Sequence, residues 1–316
     1  MGNKDITDFN EAQLRKRAAS KEELNICLTN NYAFQKIFKN EEIVKGFLIA
    51  LLHLKETDIE ELEVTDPFVE GEVKEEKEGI LDVKLILNGG KKINIEMQNT
   101  YQEDWAERSL FYNCRMFTEG LKKGESYYEL PPCIHVGILD FNYLKSPGFY
   151  HRILLKDDTT GELYSSKFQF HVIELSKIAT TKGKARKQDL YKWAKLISAS
   201  TWEEIREESE GNHYMEKVRD EMIKMSRDES ERYLYLREQM AIRDKASQLR
   251  RAEKRGRREG ELLKLILQIQ KKIQKNKELH QIADEVEEEV IKIQPIYEAI
   301  KEHPEADKEE IYKMLK

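Results

Sequence analysis

The sequence predicts a mixed α/β domain followed by a long, highly charged helical extension. Three observations carry this expectation. Strand-like alternation of apolar and polar residues is confined to the chain before about residue 180. No proline falls between Pro147 and Pro295, so the second half can run as helix without that breaker. Of the 316 residues 36% are charged and 39% hydrophobic, which suits a modest core with long solvated helical faces. The expected organisation is an N-terminal helical segment over 1–27, an α/β domain over 28–180 and a charged helical extension over 181–316.

The elements follow in order. Asn10 to Leu28 reads as a polar helix. Asn30 to Leu54 repeats apolar residues at helical spacing (34, 37, 38, then 43, 44, 47, 48, 51, 52), with a break near Asn40. Ile59 to Val69 is strand-like up to Pro67. Ile80–Leu87 and Lys92–Gln98 both alternate around Asn88-Gly89-Gly90 and form a hairpin. Asp104 to Leu121 is a helix with Gly124 as its expected C-cap, and with Trp105 and Phe111 in the core. Cys133–Phe141 follows Pro131-Pro132 as a nearly continuous apolar run, which suits a buried strand. Phe149–Leu155 and Lys167–Leu175 add two strands. From Lys187 onward the pattern is helical, and Leu262, Leu265, Ile266, Ile269 and Ile273 make one narrow stripe.

Several function classes drop out. The longest uncharged apolar runs are about half a membrane span, so no membrane partner is expected. Met1–Asn10 lacks an apolar leader segment, and the expected location is cytoplasmic. Cys27, Cys114 and Cys133 are odd in number and lack CxxC spacing, which argues against a disulfide scaffold or an ordinary zinc cluster. Ser and Cys nucleophile motifs and a GxxxxGK[ST] loop are absent. The seven histidines form no HxxxH-type pair and receive no role.

The hairpin carries the chemistry. Leu81, Val83, Leu85 and Leu87 alternate with Asp82 and Lys84; Ile93, Ile95 and Met97 alternate with Asn94, Glu96 and Gln98. The apolar faces match only if the loop has an odd length, and the three residues Asn88, Gly89 and Gly90 supply it. Leu85 then faces Ile93, Val83 faces Ile95, and Asp82 faces Glu96. Like charges across a ladder are destabilising. A divalent cation held between them reverses that sign. The competing reading is a solvated polar face on which Lys84 and Lys92 screen the acids.

The segment ILDVKLIL–NGG–KKINIEMQ resembles the D…ExQ variant of the PD-(D/E)XK nuclease core. NNYAFQKIF (Asn30–Phe38), ERSLFYNCRMF (Glu107–Phe117) and the following GESYYELPPCIHVGILDF resemble, in order and spacing, the Rpn (YhgA-like) family of recombination-promoting nucleases and transposases. The resemblance covers roughly residues 28–145, together with a charged helical tail. It implies a PD-(D/E)XK restriction-endonuclease-like fold, a mixed sheet flanked by helices, and metal-dependent endonuclease action on DNA with Mg²⁺ or Mn²⁺. It also implies a setting in recombination, mobile elements or phage defence. Asp82 and Glu96 map onto the metal-binding acids, the Met97 carbonyl onto a third ligand, and Gln98 onto the group that orients the attacking water. Two positions depart: Asn31 stands where the family has its opening acid, and Gln35 where it has Lys. An amide at 31 brings no charge, and the alternative is a catalytically weak DNA-binding or regulatory protein that kept the fold.

Arg108, Tyr112 and Arg115 fall on one helix face at i, i+4 and i+7. They suit phosphate contact or, equally, ion pairing with Glu107, Glu119 or the acids of the sheet. Gln248–Arg258 holds six basic residues and one acid. The expectation leans toward a solvated face, because the acids at 284–289 are available to neutralise it. Glu287, Glu288 and Glu289 also argue against a DNA-reading helix pair at Asn276–Ile300, and protein contact or self-association (a homo-oligomer through the tail) is favoured there.

Overall fold

Asparagine side chains start both of the first two helices. In the computed structural model, which describes residues 24–65, 68–69, 79–80, 82–119, 124 and 126–316, Asn30 Oδ1 accepts the Ala33 N–H and opens α1 (Asn31–Phe38). Asn40 accepts from Glu42 and Ile43 and opens α2 (Glu41–Leu52). The break near Asn40 is therefore a second N-cap. The helix expected from Asn10 lies mostly outside the described residues, and residues 24–28 are not helical.

The strands are β1 (Leu62–Thr65), β2 (Phe68–Val69), β3 (Gly79–Ile80), β4 (Val83–Leu87), β5 (Lys91–Gln98), β6 (Cys133–Leu139), β7 (Tyr150–Lys156) and β8 (Leu163–Glu174). Six of them form one sheet in the order β1-β4-β5-β6-β8-β7, and β2 pairs with β3. The β5–β6 and β6–β8 pairs are parallel, and the other neighbours are antiparallel. Val83 faces Ile95 and Leu85 faces Ile93, the register that an odd loop demands. Gly89 and Gly90 both take positive φ there, 62° and 82°, a conformation glycine enters without steric cost.

One face of the sheet presents Val83, Leu85, Ile93, Ile95, Ile134 and Val136 to the aromatic side chains of α1 and α2. Phe34 stacks on Phe38 at 4.1 Å, and Phe38 and Phe47 meet Trp193 edge-on. Trp193 belongs to α4 (Asp189–Ser198), which is followed by α5 (Trp202–Ser209) and α6 (His213–Arg227). These helices share the core of the sheet. The described chain accordingly divides between Gln239 and Met240 rather than near residue 180. That division falls inside α7 (Glu229–Ile273). The second unit has its own small core, where Leu265, Ile266 and Ile269 meet Ile282, Ile293, Ile296, Ile300 and Ile311. The last five side chains come from α8 (Leu279–Val286), α9 (Val290–Glu302) and α10 (Lys308–Met314).

The opposite face of β5 and β6 is covered by α3 (Trp105–Thr118). Two expectations change here. The C-cap of α3 is Glu119, not Gly124. Lys92 Nζ donates to the terminal carbonyls of Met116 (2.8 Å) and Glu119, so a lysine from β5 satisfies groups that a glycine cap would otherwise serve. Trp105 is buried as expected, but Phe111 is exposed on the outer side of the helix, where Arg115 lies over its ring. Among the described residues no helix is long and apolar enough to cross a membrane.

Candidate functional site

Asp82 sits just ahead of β4, at the point where β5 outruns its antiparallel partner. Val83 is the first ladder residue of β4, so the Met97 amide has no strand opposite it. The Asp82 carboxylate takes that place: Oδ2 accepts the Met97 N–H at 2.8 Å, and Oδ1 accepts Gln35 Nε2 at 2.8 Å. Asp82 thus lies at the head of β4 instead of standing in a ladder pair with Glu96, because an unpaired buried amide recruits it. A strand residue presents its N–H and C=O to the same side. The Met97 carbonyl therefore also faces the end of β4, while the Gln98 carbonyl turns the other way and accepts Asp140 N–H at 2.9 Å.

Glu96 points under α3 and is 2% exposed. Its Oε1 receives two donors, Gln98 Nε2 at 2.7 Å and Arg108 Nη2. Gln102 closes a ring: its Nε2 donates to Gln98 Oε1 at 2.9 Å, and its Oε1 accepts Arg108 Nη1 at 2.9 Å. Arg108 also lies over the Tyr112 ring, 5.5 Å from the centroid. Of the two roles open to Arg108, the structure gives it an ion pair with an acid of the sheet. Lys84 and Lys92 do not screen that acid; both engage Glu119. The polar face is buried, so the reading of a solvated, lysine-screened surface is overturned.

Glu96 Oε2 is buried without a hydrogen-bond partner. The nearest ionisable group on that side is His135, whose Nε2 is 3.6 Å away, beyond hydrogen-bond range. Asn94 Nδ2 donates to His135 Nδ1 at 3.2 Å, which leaves the proton on Nε2. Burial, helped by Arg108, pushes His135 down to about 3, so the ring is neutral. Burial raises Glu96 to about 7; Arg108 opposes that rise and the charge of Asp82 adds to it. Asp82 is also raised, by burial, against the pull of the Met97 and Gln35 hydrogen bonds.

Another buried acid of the same sheet shows what full satisfaction looks like. Glu174 Oε1 accepts the Tyr143 and Leu144 amides, and Oε2 pairs with Lys177 Nζ at 2.6 Å. Glu96 lacks such closure. Two carboxyls pushed up by burial, one of them raised further by the charge of the other and carrying a buried oxygen free of hydrogen-bond donors, are a donor set a hard divalent cation fits. Among the described residues no three His, Cys, Asp or Glu side chains converge as a ligand group.

Asn31 is the first residue of α1, one turn before Gln35 and on the same helix face. Its Oδ1 is buried without a partner. Sequence reasoning did not single out His135, Gln102 or Asn94 for this site. Asn94 was visible as part of the polar face of β5, and His135 as the one polar side chain in an otherwise apolar strand.

Trp105 packs over Gly137, the register partner of Glu96. A Cβ at residue 137 would come within 2.2 Å of the indole. Neither a curated protein nor a solved structure matches the chain. The family described as PD-(D/E)XK nuclease family transposase does match, over residues 28–252, a stretch that holds Asp82, Glu96 and Gln98 and runs on through α6 into α7; the chain belongs to that family.

Proposed function

We propose that the chain is a divalent-cation-dependent DNA endonuclease of the cytoplasm, serving recombination, mobile elements or phage defence. The observation that carries this reading is the buried Asp82–Glu96 pair with its donor-free Glu96 Oε2, in a chain of this nuclease family. Asp82, Glu96 and the Met97 carbonyl would hold Mg²⁺ or Mn²⁺. When bound, such an ion lowers the pKa of water and neutralises charge that develops on the phosphodiester.

The chain's own residues have separable tasks. Gln98, fixed between Glu96 and Gln102, offers an amide to orient the attacking water. Arg108 neutralises Glu96 while the site is free of cation and DNA. With a cation bound, the Arg108 guanidinium would be available to a phosphate oxygen, which its fork geometry suits. Gln35 holds Asp82 through Oδ1, so α1 positions the acid without adding charge. Water attack at phosphorus breaks one ester P–O bond, and a proton ends on the departing oxygen.

Plasmid DNA incubated with the protein and Mg²⁺ should be nicked or linearised, and both EDTA and Glu96→Ala should abolish this. Cleavage that persists in Glu96→Ala would overturn the assignment. The second reading, a weak or inactive DNA-binding protein, is favoured by the Arg108–Glu96 ion pair and the uncharged Asn31. Retarded DNA migration without cleavage by the wild-type chain would select it.

A further inference from the structure

Asn31 leaves the first turn of α1 without the acid that the family pattern places there, yet a carboxylate arrives at that helix end from elsewhere in the chain. Glu238, on α7, accepts the backbone N–H of Tyr32 through Oε2 at 2.6 Å. Tyr32 is the residue after Asn31, within the first turn, where amides have no partner inside the helix and the helix end favours negative charge.

The arrangement is built rather than incidental. Glu231 Oε2 accepts the Tyr32 hydroxyl at 2.6 Å, and Glu231 Oε1 pairs with Lys36 Nζ at 3.0 Å. The Tyr235 hydroxyl accepts the Cys27 N–H at 3.1 Å. Glu231, Tyr235 and Glu238 are spaced i, i+4 and i+7, so one face of α7 lies along α1. On the other side α1 reaches the site, because Gln35 donates to Asp82 at 2.8 Å. Tyr32 and Gln35 are three residues apart and share a side of the helix. The Glu238 carboxyl is raised chiefly by burial, and the negative charge of Asp82 adds to the rise. Among the buried atoms here without a hydrogen-bond partner are two acceptors, Asn31 Oδ1 and, on a side chain only 2% exposed, Glu96 Oε2, together with Asn30 Nδ2, Asn94 Oδ1, Arg108 Nε and His135 Nε2.

We propose that Glu238 supplies the third negative charge of the divalent-cation site, the charge having moved from α1 to the helix packed against it. The inference rests on the cation reading given above. Glu238 acts through its charge and not by direct ligation, since its Oε2 is committed to the Tyr32 amide and, among the described residues, no three acids converge as a ligand group. It is a positioning residue as well, because the same oxygen anchors the helix that holds Asp82.

Calorimetric titration of Mg²⁺ into the full chain without DNA separates these roles. Glu238→Gln keeps an acceptor oxygen for the Tyr32 amide and removes only the charge; it should weaken Mg²⁺ binding about fivefold, the scale of one partly screened charge. Adding Asn31→Asp to that variant should restore the affinity. Asn31→Asp alone should tighten binding less than it does in the Glu238→Gln background, because the two carboxylates share one task. Wild-type affinity in Glu238→Gln, with Glu238→Ala weakened, would reduce Glu238 to a helix cap and overturn the proposal. So would a double variant as weak as Glu238→Gln. A wild-type chain that binds no Mg²⁺, or binds it no better than Glu96→Gln, would instead overturn the underlying cation site.

Discussion

Arg108 and Glu96 form a one-sided ion pair: the guanidinium meets Oε1, and Oε2 is buried with no donor at all. The pair is thus compensated in charge but not in hydrogen bonding. Half of a buried carboxylate is left to pay its desolvation cost alone.

That cost should be visible as a pH-dependent difference between wild type and Glu96→Gln. The carboxyl of Glu96 is raised from 4.5 to about 7 in the folded chain. Between those values only the unfolded state is ionised, so the folded state holds the extra proton and loses stability as pH rises. Below the window the group is neutral in both states; above it the penalty is complete, on the order of 3 kcal/mol. His135 and His171, pushed down to about 3 and about 4 by burial, act in the opposite sense but are present in both proteins. Urea unfolding without metal should show Glu96→Gln gaining on wild type from pH 4.5 to 7 and then holding level. A constant difference across that range would mean Glu96 is not perturbed.

Removing the guanidinium should move the same titration upward. Arg108 is the leading influence that holds Glu96 down, and Arg108→Met deletes it while keeping much of the side-chain volume. Cation binding requires the ionised carboxylate. The pH at half-maximal Mn²⁺ affinity should therefore rise by about one unit or more, read by titration at several pH values. An unshifted midpoint would show that Arg108 does not govern Glu96.

Gly137→Ala should be poorly tolerated. The new Cβ would lie 2.2 Å from the Trp105 indole and within 3.2 Å of two further ring atoms. The ring must move, and with it the first turn of α3 that leads to Arg108. The expected loss is roughly 1–3 kcal/mol, measured by urea unfolding, and Trp105→Leu in the same background should recover part of it. Wild-type stability in Gly137→Ala would show that the indole can move at little cost.

The basic run of α7 should bind DNA through phosphates. Two of the acids expected to neutralise it are paired elsewhere: Glu285 with Lys272 and Lys277, and Glu288 with Lys292. Among the described residues the run has one ion pair, Arg257 with Glu261, while Arg251, Lys254, Arg255 and Arg258 line one groove with Glu259 and Tyr312. That pairing of the acids favours phosphate contact over the solvated face to which the sequence leans. Neutralising Arg250, Arg251, Arg255 and Arg258 should lower the slope of log affinity against log salt by up to about 3. Binding measured at two salt concentrations decides it, and an unchanged slope leaves the run as solvated surface.

The hairpin was legible because period-two alternation and an odd loop together fix a register, and Val83 and Ile95 meet as that logic requires. The departure of Asp82 from the ladder was not legible. It depends on where β4 stops short of β5, and no pattern in ILDVKLIL marks that point. Helices α4 to α6 fall where the pattern reads as helix from Lys187 onward, but a helical pattern does not say against what a face is buried. Only the fold shows Trp193 joining Phe38 and Phe47. Gly124 and Phe111 went wrong for related reasons, since a cap can come from a distant lysine and an apolar side chain can sit on the outer side of a helix. Glu238 was out of reach of local reading because its neighbour in space, Tyr32, is far away in sequence.

The Asn88-Gly89-Gly90 loop has a genetic consequence. Side chains alternate across the sheet, so gaining or losing a single codon there would turn β5 over relative to β4. Glu96 would then be delivered to the side where Phe34, Phe38 and Trp193 pack, and Ile95 to the side of Arg108. Insertions or deletions of two codons would leave both sets where they are. Tolerated length changes in this loop are therefore even-numbered, a rule enforced by the pleat of the sheet and indifferent to which amino acids are added.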